Sequence, residues 1–184
     1  MKQLLPFFVY VTALWAASCK PGPSGASADP YKDSLRGVIA KVEKETAASG
    51  QSIAKPEVAQ DLMASYIHFF NKYPKDSASP TYLFKAAQLS VAMHSYLPAL
   101  DFLQQFGQLF PKDAKADDAA FINAFIYENH LHDTARARVA YNNFMAAYPQ
   151  SPLVKDARAS IENMGLSDEE LIKKFEQQNG SARK

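Results

Sequence analysis

The one cysteine of the chain, Cys19, stands directly after Ala16, Ala17 and Ser18, at the end of an apolar run from Leu4 to Ala17. A cysteine sulfur can attack, ligate or be acylated, and its surroundings decide which. Four histidines accompany it: His68, His94, His130 and His132. His130 and His132 could bring two imidazoles near one metal, but no second cysteine and no spaced carboxylate stands nearby to complete a ligand set. The pair reads instead as the solvated end of a helix. Asp117 and Asp118 read as charge favourable to a helix N-terminus, not as an acid and base pair. The stretch from Asp168 to Lys174 reads as a mixed-charge face in water. No Gly-rich phosphate loop, serine elbow or zinc signature is present. With no paired acid and base and no activated nucleophile, the chain is expected not to be an enzyme. No cofactor, metal or small-molecule substrate is expected either.

Cys19 is better explained by what precedes it. Met1 and Lys2 give a positive start and the apolar run after them is too short to span a bilayer, which is the pattern of a secretory signal. Small residues followed at once by a cysteine resemble the lipobox of bacterial lipoproteins, although Ala16 occupies the place where that family usually has Leu. The resemblance implies that Cys19 is diacylglyceryl-modified, becomes the mature N-terminus and is N-acylated. Several acyl chains on one residue would anchor it stably, at about 0.8 kcal/mol per buried methylene. Lys20 follows where retention in the inner membrane usually takes Asp, so the resemblance implies lipid anchoring at the outer membrane of a Gram-negative bacterium, facing the periplasm. Lys20 to Pro30 (KPGPSGASADP) is rich in Pro, Gly and Ser and reads as a flexible tether. The expected organisation is a leader over 1–18, a lipidated cysteine and tether over 19–31, and one domain over 32–184.

Composition limits that domain. Apolar residues make up 47% of the chain and aromatics 12%, enough to offset the entropy of ordering the backbone. There are 20 basic and 19 acidic side chains, and loss of Lys2 with the leader leaves them balanced. No general attraction to nucleic acid follows from such a balance. Only 7 Gly are present, which favours long elements over a turn-dense all-β pattern.

The elements repeat. Pro74, Pro111 and Pro149 are each preceded by an aromatic, Tyr73, Phe110 and Tyr148. Upstream of each proline lie Leu62, Tyr66 and Phe69, then Ala99, Leu103 and Phe106, then Ala137, Tyr141 and Phe144. Steps of about three and four residues place each set on one face of a helix, which the proline ends. Partner helices are expected over Thr81 to His94, Ala116 to His130 and Leu153 to Asn163, with Ser79-Pro80 and Ser151-Pro152 as capping starts. Asp133 is expected as an N-cap, Gly165 as a C-terminal stop, and Ser167 to Glu170 as a capping box opening a last helix. Lys32 to Thr46 and Pro56 to Lys72 complete about eight helices.

Residues 56 to about 165 resemble the tetratricopeptide-repeat family, through Ala99 and Ala137, Leu103 and Tyr141, and the closing Pro111 and Pro149. The aromatic-Pro ending and longer period are similar to the variant in BamD-like outer-membrane lipoproteins. Leu62 departs from the family's small residue, and Phe106 and Phe144 stand where it usually has Ala. The resemblance implies an all-α, short right-handed superhelix of antiparallel helix pairs that binds a protein or peptide of the cell envelope, in a setting such as outer-membrane protein assembly. Its inner surface would carry Phe84, Gln88, Phe121, Phe125 and Glu128; the alternative is that these Phe are ordinary core. An accessory periplasmic factor or a passive structural lipoprotein are the competing functional expectations.

Overall fold

The computed structural model describes residues 29–48 and 55–181, and within them the chain is all-helical. Cys19, the leader and the Pro-rich stretch before Ala28 lie outside the described residues. The helices are α1 (Pro30–Ala48), α2 (Pro56–Lys72), α3 (Ser79–Ala92), α4 (Tyr96–Leu109), α5 (Ala116–Asn129), α6 (Thr134–Ala147), α7 (Val154–Asn163) and α8 (Asp168–Ser181). From α1 to α7 each packs chiefly on the next in sequence. None is long and apolar enough to cross a membrane.

The three aromatic-Pro turns are built alike. The N–H of Tyr73, Phe110 and Tyr148 donates to the carbonyl of Phe69, Phe106 and Phe144, each at 2.8 Å. Proline then forbids helix, and the aromatic's own carbonyl accepts from the residue two past that proline: Asp76, Asp113 or Ser151 at 2.9 to 3.0 Å. The side chains of the same three residues accept a backbone N–H two positions on, from Ala78, Lys115 and Leu153. These polar side chains turn the chain into the next helix. Ser79 and Ser151 are not the caps expected from sequence: Ser79 lies inside α3 and its hydroxyl donates to the Tyr73 carbonyl, while α7 starts only at Val154, its N-cap Leu153 making no side-chain cap bond. Asp133 does cap α6, accepting from the Arg136 N–H at 2.8 Å. Gly165, at φ +90°, ends α7 in the left-handed region that glycine adopts freely, and Ser167 and Glu170 exchange the two bonds of a capping box at 3.3 and 2.8 Å.

All nine repeat positions of α2, α4 and α6 are buried, none more than 7% exposed. All but Ala137 feed three clusters, centred on Tyr66 and Phe69, on Leu103 and Phe106, and on Tyr141 and Phe144. Tyr66 and Phe69 both pack against Tyr82, so the first pair is joined to the second through rings.

The start of α1 is tied to the first turn by charge. Asp76 receives Arg36, and Lys32 at 3.2 Å, while the Tyr73 hydroxyl donates to Asp29 at 2.8 Å. Burial tends to raise the Asp76 carboxyl, but the Ala78 N–H and the Lys32 and Arg36 cations outweigh it and hold it below its ordinary 3.8. Asp29 is lowered first by the Tyr73 hydroxyl, and Asp133 first by the Arg136 N–H. A depressed carboxyl stabilises the fold above its unfolded pKa and loses that contribution as pH falls through its folded one. The melting temperature is therefore expected to be level above pH 5 or so and to drop below pH 3.8. Asp76→Asn should flatten that acid limb, as read by thermal unfolding at a series of pH values; an unchanged limb would discount Asp76.

Candidate protein-docking face

The first helices of the pairs share a register that runs through α1 as well. Arg36, Phe84 and Phe121 hold equivalent places: each sits over the phenylalanine of its pair's second helix, at 5.3 Å from Phe69, 5.5 Å from Phe106 and 5.6 Å from Phe144. One turn later Ile39, Ala87 and Ala124 are all buried. A further turn on come Glu43, Val91 and Glu128. The carboxylates of Glu43 and Glu128 accept from the hydroxyls of Tyr66 and Tyr141, each at 2.7 Å, whereas in the middle pair both partners are apolar, Val91 and Leu103 in one cluster. Burial, above all, pushes both phenols above the usual tyrosine range, so each remains a donor to its glutamate.

This register decides where the expected site residues fall. Phe84 is only 6% exposed and belongs to the core, packed on Phe106, whereas Phe121 is half-buried, one side of its ring edge-on to Tyr141 and Phe144. Glu128 is committed to Tyr141. Gln88 is exposed, and Phe125 is exposed on α5, with its ring edge-on to His130 at 5.7 Å.

Two hollows flank Gln88. One of about 440 Å³ lies between α1 and α3, over Glu43, Thr46, Tyr66 and Leu89. The other, about 300 Å³, lies between α3 and α5, with Phe84 and Phe106 below and Thr81, Asp118 and Ile122 around it. Lys85 and Gln88 line both and form the ridge between them. Lys85 Nζ is 2.8 Å from Glu43 and 6.0 Å from the Tyr66 ring centre, and Lys115 pairs with Asp118 at 2.8 Å in the lining of the second hollow. Charge thus alternates along the furrow. Pairs this open to water contribute little to stability, but they can be exchanged for a partner's charges and fix its register. Lys85 was not legible as a site residue beforehand; its one signal is that it is the sole charged residue of α3.

Three of the four histidines gather elsewhere, at the turns joining α3 to α4 and α5 to α6, while His68 lies within α2 and meets the Tyr31 hydroxyl at 2.9 Å. His130 stacks flat on Tyr96 at 4.3 Å, and the Tyr96 hydroxyl meets His94 Nδ1 at 2.7 Å. His94 and His132 both have positive φ, 56° and 50°, at the two first-to-second-helix turns. Among the described residues no three His, Cys, Asp or Glu side chains are grouped to hold a metal ion.

Fold and furrow together define an all-helical array of helix pairs with a charged groove along its first helices. No protein-family model matches the chain, and no curated protein matches it.

Proposed function

We infer that this protein is a lipid-anchored scaffold of the Gram-negative envelope, of tetratricopeptide-like build, whose inner furrow docks another envelope protein. The observation that carries the docking reading is the Lys85 and Gln88 ridge between two hollows that packing among the described residues leaves open. The anchor reading rests on Cys19 at the end of the apolar leader. The outer-membrane setting follows from Lys20, and a place in a complex that assembles outer-membrane proteins fits the repeat ending.

The test compares full-length wild type, Cys19→Ser and Lys85→Ala/Gln88→Ala in a Gram-negative host, by fatty-acid labelling, membrane fractionation and affinity purification from detergent-solubilised envelopes. Cys19→Ser should take up no label and leave the membrane fraction; unchanged labelling would end the anchor reading. The double alanine variant should keep its melting temperature and membrane location but lose at least tenfold of the recovered partner. Full recovery would remove the furrow as the docking face.

A further inference from the structure

The opposite side of α5 carries a second groove with different chemistry. Asp118 and Ile122 line the inner furrow, while Asn123 and Tyr127 line a hollow of about 340 Å³ between α4 and α6. Four carboxamides from three helices converge there: Gln104 and Gln108 of α4, Asn123 of α5 and Asn143 of α6. Among the described residues none of the four makes a hydrogen bond. No charged side chain lines this hollow. It continues past Asn123 and Tyr127 into another of about 410 Å³ that reaches Val139 and Arg136, the valine 60% exposed.

The middle of the groove is kept low. Gly107 lines it from within α4, and a Cβ built there would meet nothing within 4 Å. Gly is the poorest helix former after Pro, so packing within the chain gives no reason for it. Its effect is to leave room beside the carboxamides.

We propose that this groove binds an extended, uncharged segment of a partner polypeptide, through its backbone. A carboxamide presents both a donor and an acceptor, the complement of a peptide unit whose own N–H and C=O are free. A helical partner has already used those groups internally and could offer the carboxamides only its side chains. Spacing favours the extended form: Gln104 and Gln108 are four residues apart, about 6 Å along α4, close to the roughly 6.7 Å between alternate residues of a strand. The first hollow is neutral, and the one cation of its continuation, Arg136, is already paired with Asp133 at 2.6 Å, so the lining complements an uncharged segment. This site is separate from the Lys85 furrow and does not depend on it.

The experiment selects linear 12-residue peptides from a phage-displayed library on the full-length protein and measures each selected peptide by fluorescence anisotropy against four proteins: wild type, Gly107→Leu, Gln104→Ala/Asn143→Ala, and Lys85→Ala/Gln88→Ala. Gly107→Leu fills the groove and favours the helix, so it should keep or raise the melting temperature while weakening binding at least tenfold. The carboxamide variant should weaken binding similarly, and the furrow variant should leave it unchanged. Selected peptides should be poor in charged residues. Peptides that respond only to the furrow variant, or none that responds to Gly107→Leu, would overturn the proposal. So would saturable binding of N-acetylglucosamine oligomers that Gly107→Leu abolishes while peptides fail to bind, since the groove would then be a saccharide site.

Discussion

Phe106→Ala and Phe144→Ala are each expected to lower the unfolding free energy by about 3 to 5 kcal/mol, the usual result of truncating a buried aromatic. Both rings are 1% exposed. Each supports a first-helix ring, Phe84 at 5.5 Å and Phe121 at 5.6 Å, and a turn aromatic, Phe110 at 5.5 Å and Tyr148 at 6.1 Å. Truncation therefore removes the centre of three-ring contacts in two places that the repeat makes equivalent. Urea unfolding monitored by circular dichroism reads the loss, with the denaturant slope showing whether the transition stays two-state. A severe effect at one site and a neutral one at the other would break the equivalence.

Leu62→Ala is expected to cost about 2 to 5 kcal/mol, although it installs the small residue found at the matching places Ala99 and Ala137. The reason is the residue it faces. Leu62 shares a buried cluster with Ile39, while Ala99 shares one with Ala87. Two large side chains stand in the first crossing and two small ones in the second. Ala99→Leu should correspondingly cost about 1 to 3 kcal/mol by overpacking. The same urea measurements decide it. Equal tolerance of Leu at positions 62 and 99 would show that the crossings do not differ.

The second helices were readable from sequence because proline and its aromatic fix their register locally, and the buried positions then fall at helical spacing. The first helices were harder. Glu43 and Tyr66 are 23 residues apart whereas Glu128 and Tyr141 are 13 apart, so the longer connection after α1 hides its equivalence to α3 and α5. Phe84 and Phe121 were placed on the inner surface by the resemblance alone, which does not foresee the large Phe106 drawing Phe84 into the core; Phe121 stays half-buried against Phe144. Gln88 kept its place because it is polar and one helical turn removed from that contact. The Lys85 ridge and the carboxamide groove are tertiary juxtapositions, each lined by three or more helices at once, and no local spacing announces them. The closing prolines are 37 residues apart from Pro74 to Pro111 and 38 from Pro111 to Pro149, and the difference has a local cause: α3 and α4 are joined by three residues and α5 and α6 by four, the extra one falling in the turn of His130 to Asp133.

The ties of Lys32 and Arg36 to Asp76, and of Asp29 to Tyr73, have a mechanical consequence. Any force entering through the N-terminal end reaches α1 first, and α1 packs less extensively on α2 than α3 does on α4. Those ties bear on Asp29 and the first two turns of α1 and cross to the C-terminal end of α2, so a pull there loads ion pairs and a hydroxyl bond before it reaches the aromatic core. Because each later helix leans chiefly on its sequence neighbours, yielding would proceed by peeling, one interface at a time, with the second and third pairs still folded after the first has come away.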